Sequence, residues 1–461
     1  MAKLTNQQAA CSLYYAVVEE NITPPLGIYA RNWGAAAFDN AQGLHKPLMM
    51  QCLVTGDSSG KIQQVLFTAD LGWWKNSADE SFLRQSLLTT FQLAESQLLF
   101  CLSHTHAGPS ICSKDQDRPG GEYIVPYLAF LLERATAMLA KASQNMQAGN
   151  IVWAYGRCDL ASKRDLQVNN EYLVGYNPAE LADDTLAVGL LRSEAGIPKT
   201  VLVNYACHPT TFAHKNTLLS PDYIGAMREV IRAELQVPSM FLQGASGDLA
   251  PQEQYVSDPA IVDRHGRKLG YAVLAILAGL RPAGAALEFA EALPSGAPLA
   301  IWERQQGAIS KYLYSGSFKV PVPYKKLPSL VEIEQEYAQA TDRVLKDRIW
   351  RKLNTRQVIG EAHSAQLPLW IWQMGDAILV AQPNETYSDF QLALRASFPN
   401  KIILVINIAN GYVGYLPPAD LYNNDMYAVW QTPFAAGALE KLTIAAKELI
   451  VKHYNHETRI N

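Results

Sequence analysis

The segment Cys101-Leu102-Ser103-His104-Thr105-His106-Ala107-Gly108-Pro109 places two imidazoles one residue apart at the end of an apolar run. In an extended chain alternate side chains project to the same side, so His104 and His106 would face one cleft, and the Ala107-Gly108-Pro109 turn stops the strand there. Neutral imidazole is a common zinc ligand, and two in one small space suit a divalent metal. The pair alone is a weak signal, since His-x-His also occurs by chance and in satisfied hydrogen-bond networks. Three further segments repeat the arrangement. Val201 to Thr210 (V-L-V-N-Y-A-C-H-P-T) is an apolar run that delivers His208 just before a proline that ends pairing. Val380 to Glu385 (V-A-Q-P-N-E) delivers a carboxylate, and Ile402 to Ile408 runs into Asn410-Gly411-Tyr412-Val413-Gly414-Tyr415. Singly, each has a plain structural reading: a satisfied strand-end histidine, an acid on a helix dipole, two tyrosines packed at a loop. Together they put polar groups at four strand ends, where open α/β sheets build their sites.

The elements that must position these groups alternate along the chain. Short β-rich runs (Gln64 to Leu71, Leu98 to Leu102) are followed by segments of helical period (Asp79 to Gln97, Tyr123 to Gln144), which predicts an α/β fold. Val201 to Ala206 and Met240 to Gln243 read as strands flanking a helix over Pro221 to Leu235. Leu367 to Val380 reads as two strands turning at Gly375-Asp376, Phe390 falls within a helix, and Phe434 to Lys452 is the last helix. Arg281 to Pro298, rich in Ala, Gly and Pro, and Ser315 to Pro328, with V-P-V-P-Y-K-K-L-P inside it, read as connecting segments. Glu332 to Leu353 reads as one charged helix lining a solvated face. There is no internal repeat.

Composition narrows the function classes. The chain has 461 residues, 49% hydrophobic and 18% charged, enough to bury a large core. Its net charge of -4, spread along the sequence, excludes an electrostatic footprint for nucleic acid or an anionic membrane. The apolar run Tyr271 to Leu280 is about half of the ~20 residues a bilayer requires, so no transmembrane segment is expected. Met1 to Glu20 contains no secretory leader, and the expected location is cytoplasmic. Six cysteines without a CxxC read as reduced and structural. No G-x-S-x-G elbow marks a serine hydrolase.

In order, T-A-D-L-G, S-H-T-H-A-G-P, N-Y-A-C-H-P-T, S-G-D-L-A-P, Q-P-N-E-T and N-G-Y-V-G-Y resemble the catalytic domain of the neutral, non-lysosomal ceramidases and their bacterial relatives. Asn21-Ile22-Thr23-Pro24-Pro25-Leu26-Gly27 looks like that family's opening strand, so the resemblance spans nearly the whole chain. It implies a single catalytic domain over 1–461, built as a mixed-sheet α/β sandwich with the metal site at strand ends. It also implies one zinc ion held by His104, His208, Glu385 and Tyr415, with His106 beside a metal-activated water. Tyr415 and Arg164 are further catalytic candidates; Arg164, Tyr412 and Asn410 are assigned to the substrate, and Asp70 and Asp248 to hydrogen bonds behind the ligand histidines. A surface arginine paired with Asp165 or Asp159 is the other reading of Arg164.

The implied activity is zinc-dependent hydrolysis of the amide of an N-acylated amine, either a ceramide-like sphingolipid or a smaller N-acyl compound. A metal-binding relative without turnover and a metallo-phosphoesterase or lactamase-like hydrolase are the alternatives. Against the last, His106 is followed by Ala107-Gly108-Pro109 where such sites continue HxHxDH. Two departures bear on substrate. Ala250 stands where the ceramidases carry a serine, which excludes a serine nucleophile there, and the sequence ends at Asn461, without room for their C-terminal immunoglobulin-like domain. The oligomeric state is open.

Overall fold

A computed structural model describes residues 5–360 and 362–454. The ends of the chain, including Met1 and Asn461, lie outside the described residues.

The alternating apolar runs assemble into two sheets laid face to face. The larger has eight strands in the order Ser239–Gln243, Pro198–Tyr205, Thr185–Ser193, Gln147–Arg157, Ala9–Asn21, Met49–Gly56, Ile62–Ala69 and Leu98–Leu102. Only its two outermost pairs are parallel, at opposite edges, and the interior is antiparallel. The smaller runs Leu313–Pro323, Ser364–Met374, Ala377–Ala381 and Ile402–Ile406. Period-two alternation sends Leu53, Leu66, Leu99, Leu202 and Leu242 inward against Trp370, Trp372, Leu379 and Leu404 of the smaller sheet. The intervening residues face outward under helices. Val65, Phe67 and Phe100 pack beneath Ser77–Phe91 and Ile124–Gln144, and Val201, Val203 and Phe241 beneath Tyr223–Leu235 and Pro259–Ala278. Ser388–Ser397 and Ala438–Tyr454 cover the smaller sheet. The expected mixed-sheet α/β sandwich is therefore the one observed, with a helix layer on each outer face.

Several expectations need correction. Arg281 to Pro298 is not a connector: Ala285–Leu293 and Leu299–Gln306 form a ribbon that pairs with Thr5–Gln7. Ser315 to Pro328 lies mostly within an eleven-residue strand, Leu313–Pro323. Its prolines are tolerated because it is the edge of its sheet, where one side of the backbone has no ladder to lose. The helix expected to reach Gln97 stops at Phe91, where Gln92 turns left-handed (φ 53°) before a short 3-10 turn. Glu332 to Leu353 is two helices, Leu330–Gln339 and Arg343–Ile359, each opened by its own cap, Ser329 and Asp342. The longest apolar helix is also not the one expected from sequence. By length and hydropathy Gly121–Gln144 could cross a bilayer, yet here its stripe Tyr127, Leu131, Ala135, Met138 and Ala142 packs on the large sheet.

Candidate metal centre

Four chain segments leave their strands at one edge of the sandwich and meet there. After Leu102 the chain departs from the extended form: His104 sits at φ 67°, left-handed for a non-glycine residue, held by its N–H donating to Leu71 O at 2.9 Å. Such backbone strain costs about 1–3 kcal/mol and persists only when the surroundings enforce it. His104 and His106 thus face one cleft, ring centroids 4.9 Å apart, because of this twist and not by strand alternation. His208 is fixed where its N–H donates to Leu249 O. Glu385 is not an acid on a helix dipole. It lies in a two-residue parallel bridge with Tyr415, which sets the carboxylate beside the phenol.

Ligand nitrogens of His104, His106 and His208 all lie within 4.8 Å of one another. His208 Nδ1 faces the carbonyls of Ser246 (2.6 Å) and Leu249 (3.1 Å), and His104 Nδ1 faces that of Gly72 (3.2 Å). Carbonyl oxygens only accept, so both Nδ1 atoms carry the proton and both Nε2 atoms are turned inward, free of the backbone. Those nitrogens converge on Glu385 Oε2, at 2.8 Å from His208 and 3.3 Å from His104. Burial holds His208 down at about 4, and nearby Arg164 adds to this, so its imidazole is neutral at pH 7. Burial by itself would raise the Glu385 carboxyl, but His104 and His208 more than offset it, and it stays ionised, well below the usual carboxylate range. Two imidazole nitrogens and a carboxylate oxygen meeting at one point need a proton or a metal cation between them, and a backbone carbonyl on the far nitrogen is the usual support for a metal-bound histidine. The donor set fits a divalent metal.

Arg164 is buried, and its Nη2 donates to the Tyr415 hydroxyl at 2.9 Å, which rules out the reading as a surface arginine. Burial raises the Tyr415 phenol well above its ordinary value, while the guanidinium pulls the other way and favours an anionic oxygen. The Tyr412 hydroxyl donates to Glu385 Oε1 at 2.8 Å. His106 makes no hydrogen bond through either ring nitrogen among the described residues, and it lies between Trp33 and Trp73 with centroids 5.1 and 4.9 Å away. Burial, then His104 and His208, hold its pKa well below the ordinary histidine value.

Three sequence assignments do not match their observed positions. Asp70 accepts from the N–H of Met49 and pairs with Arg228, and so braces a strand against a helix without meeting a ligand histidine. Asp248 accepts from Ser388 N and Oγ (both 2.7 Å) and pairs with Lys163. Its neighbours Ser246 and Leu249 support His208 instead, through backbone carbonyls, which any side chain can supply. Asn410 does not reach the cavity: its side chain accepts from Phe100 N (2.7 Å) and donates to Leu98 O (2.8 Å), clamping the strand that leads to His104.

A cavity of about 490 Å³ opens over this cluster, lined by His104, His106, Arg164, Glu385, Tyr412 and Tyr415 together with aromatic residues. Its far wall comes from residues that sequence reasoning passed over: Trp33, Trp73, Tyr255, Tyr427 and Trp430, and a face of the helix Arg343–Ile359. One signal for that helix was present. Val344, Asp347, Arg348 and Arg351 follow the i, i+3, i+4, i+7 spacing of a single face.

No protein-family model and no curated protein sequence matches the chain. Solved structures do. A ceramidase complexed with C2 superposes over 96% of this chain and 74% of its own, with a TM-score of 0.67 at 14% identity. The neutral ceramidase from Pseudomonas aeruginosa covers 97% and 74%, with a TM-score of 0.65 at 15% identity. At such low identity the likeness establishes the fold, which is that of the neutral ceramidases.

Proposed function

We propose that this chain, on the neutral-ceramidase fold, is a zinc-dependent hydrolase of linear amides, cleaving an N-acylated amine. The observation that carries the reading is the convergence of the His104 and His208 Nε2 atoms and the Glu385 carboxylate at the floor of a ligand-sized cavity. His104, His208, Glu385 and Tyr415 would hold the ion. A divalent cation there supplies Lewis acidity, polarising a carbonyl and making water more acidic.

The chain's own groups account for the rest. The neutral His106, unpartnered and inside the cavity, accepts the proton that water loses as its oxygen bonds to the carbonyl carbon. The same imidazolium then protonates the nitrogen as the C–N bond breaks, leaving a carboxylic acid and an amine. Arg164, buried in the cavity wall, presents a fixed positive charge to the carbonyl oxygen as it becomes negative. Tyr412 locks Glu385 in orientation through its 2.8 Å hydrogen bond. The aromatic walls suit an apolar acyl chain and exclude water from it. Ala250 is buried and pairs with Ser162 in a short ladder, so its lack of a hydroxyl removes no group this scheme needs.

The test combines metal analysis with a screen of N-acyl amides, ceramide among them, on wild type and His208→Ala. Stoichiometric zinc and amide cleavage in wild type, both lost in the variant, are expected. Cleavage of phosphoesters and not amides, or full amide turnover by metal-stripped protein, would overturn the proposal.

A further inference from the structure

The helix Arg343–Ile359 closes the cavity with a face that carries more positive charge than its surroundings neutralise. Asp347, the acid on that face, is committed: its Oδ2 meets Arg31 Nη1 at 2.7 Å, and Arg31 also donates to Gly34 O at 2.7 Å, which pins the helix to the loop bearing Trp33. Arg348 lies flat on the Trp430 ring, 3.5 Å from its centroid, a stacking that holds the guanidinium plane and leaves its N–H edges available. Arg351, one turn further, also lines the cavity. Among the described residues neither guanidinium has an ion pair or side-chain hydrogen bond. Across the cavity, Glu385 is engaged by His104, His208 and Tyr412. Lys75, behind Trp73, already faces Asp115 at 3.7 Å. Asp347 still favours the charged Arg351 from the same helix face, but no carboxylate in the lining is left to pair directly with Arg348 or Arg351.

A guanidinium held in a partly dehydrated wall without a direct ion-pair partner is stabilised further when an anion meets it, and its planar fork matches a carboxylate or phosphate. We infer that the substrate carries an acidic group remote from the scissile amide, and that Arg351, aided by the stacked Arg348, is the residue that reads it. The inference rests on the amide-hydrolase reading above and narrows it: the preferred N-acyl amine is anionic, unlike a neutral ceramide.

The experiment uses the zinc-loaded full chain and three short amides that stay monomeric in water. N-Hexanoylethanolamine is neutral, N-hexanoylglycine carries its acid on the amine half, and the mono-ethanolamide of adipic acid carries it at the acyl end. We expect kcat/KM for one of the acids to exceed that of the neutral amide by about 10- to 100-fold, as one charge-assisted hydrogen-bonded pair provides. Which acid is preferred identifies the half that Arg351 meets. In Arg351→Met, which keeps the apolar stem, this preference should collapse through KM while neutral-amide cleavage changes less than about 3-fold. Equal cleavage of all three by wild type overturns the inference without needing any variant, as does a preference that survives in both Arg351→Met and Arg348→Met. If wild type cleaves none of them, the hydrolase reading fails instead. Calorimetric binding of N-hexanoylglycine, the adipic mono-ethanolamide and N-hexanoylethanolamine then decides the inference alone: tighter binding of an acid, lost in Arg351→Met, upholds it, and equal binding ends it.

Discussion

Replacing Glu385 by glutamine keeps the shape of the side chain and removes only its charge. The residue is 3% exposed, and Oε2 stands 2.8 Å from the His208 Nε2 atom and 3.3 Å from that of His104. In the metal-free protein an amide suits that position well, because its Nε2 donates to the His208 lone pair and its oxygen still accepts from Tyr412. The metal-free fold should therefore be undisturbed. A cation held there would lose its carboxylate ligand. Groups that merely support a ligand are worth 10- to 100-fold in metal affinity, so a ligand itself should cost at least about 100-fold, or about 2.7 kcal/mol. With zinc well above both dissociation constants, stabilisation by bound metal falls by the same amount. An unfolding entropy near 2.1 cal/mol/K per residue gives about 1 kcal/mol/K for 461 residues, so the zinc-induced rise in Tm should shrink by about 3 °C. Calorimetric scans with and without zinc, paired with chelator competition, measure both quantities. Zinc binding by Glu385→Gln at wild-type affinity would refute the placement of the ion. A Tm already lowered in the metal-free variant would show that the carboxylate serves the fold instead.

Three other outcomes follow from the same geometry. Arg164→Met should retain zinc and lose about 10²- to 10³-fold in kcat, the range for removing one group that stabilises developing charge; steady-state kinetics beside metal analysis checks both. Asn410→Ala leaves Phe100 N–H and Leu98 C=O buried without their side-chain partner, and urea denaturation should show a loss of about 2–4 kcal/mol with KM unchanged, since Asn410 serves the strand and not the substrate. His265 bonds Thr211 through Nδ1, and burial, with Arg264 adding, lowers its pKa from 6.5 to about 4. The unfolded chain then binds the extra proton between those values, so stability is full above pH 6.5 and declines as pH falls toward 4. About 2 kcal/mol of that decline, after allowing for partial solvent screening, should vanish in His265→Gln when unfolding is compared at pH 7 and pH 4.5.

Periodicity was enough to bring out the α/β alternation and to place His104, His106, His208, Glu385 and Tyr415 at or after strand ends, whereas the sandwich and the ligand set came only with the resemblance to the neutral ceramidases. Periodicity and strand-end position are nearest-neighbour properties, legible without knowing what packs where. The sequence was equally sufficient to exclude a serine nucleophile at Ala250. Partners separated by long stretches of chain were not legible. Asp70 and Asp248 have the right chemistry to support a ligand histidine, yet Arg228 and Ser388, brought near only by folding, take them, and backbone carbonyls do the supporting instead. Asn410 was read toward a substrate and proves to be a clamp, since which way a polar loop residue turns depends on the strand beside it. The proline-bearing strand Leu313–Pro323 looked like a connector because only its edge position makes those prolines harmless. The helix Arg343–Ile359 looked solvated for a related reason: a charged face has the same pattern whether it meets water or the wall of a polar cavity. Tertiary structure alone decided that Arg348 and Arg351 face the site, through the Arg31–Asp347 pair that joins segments three hundred residues apart.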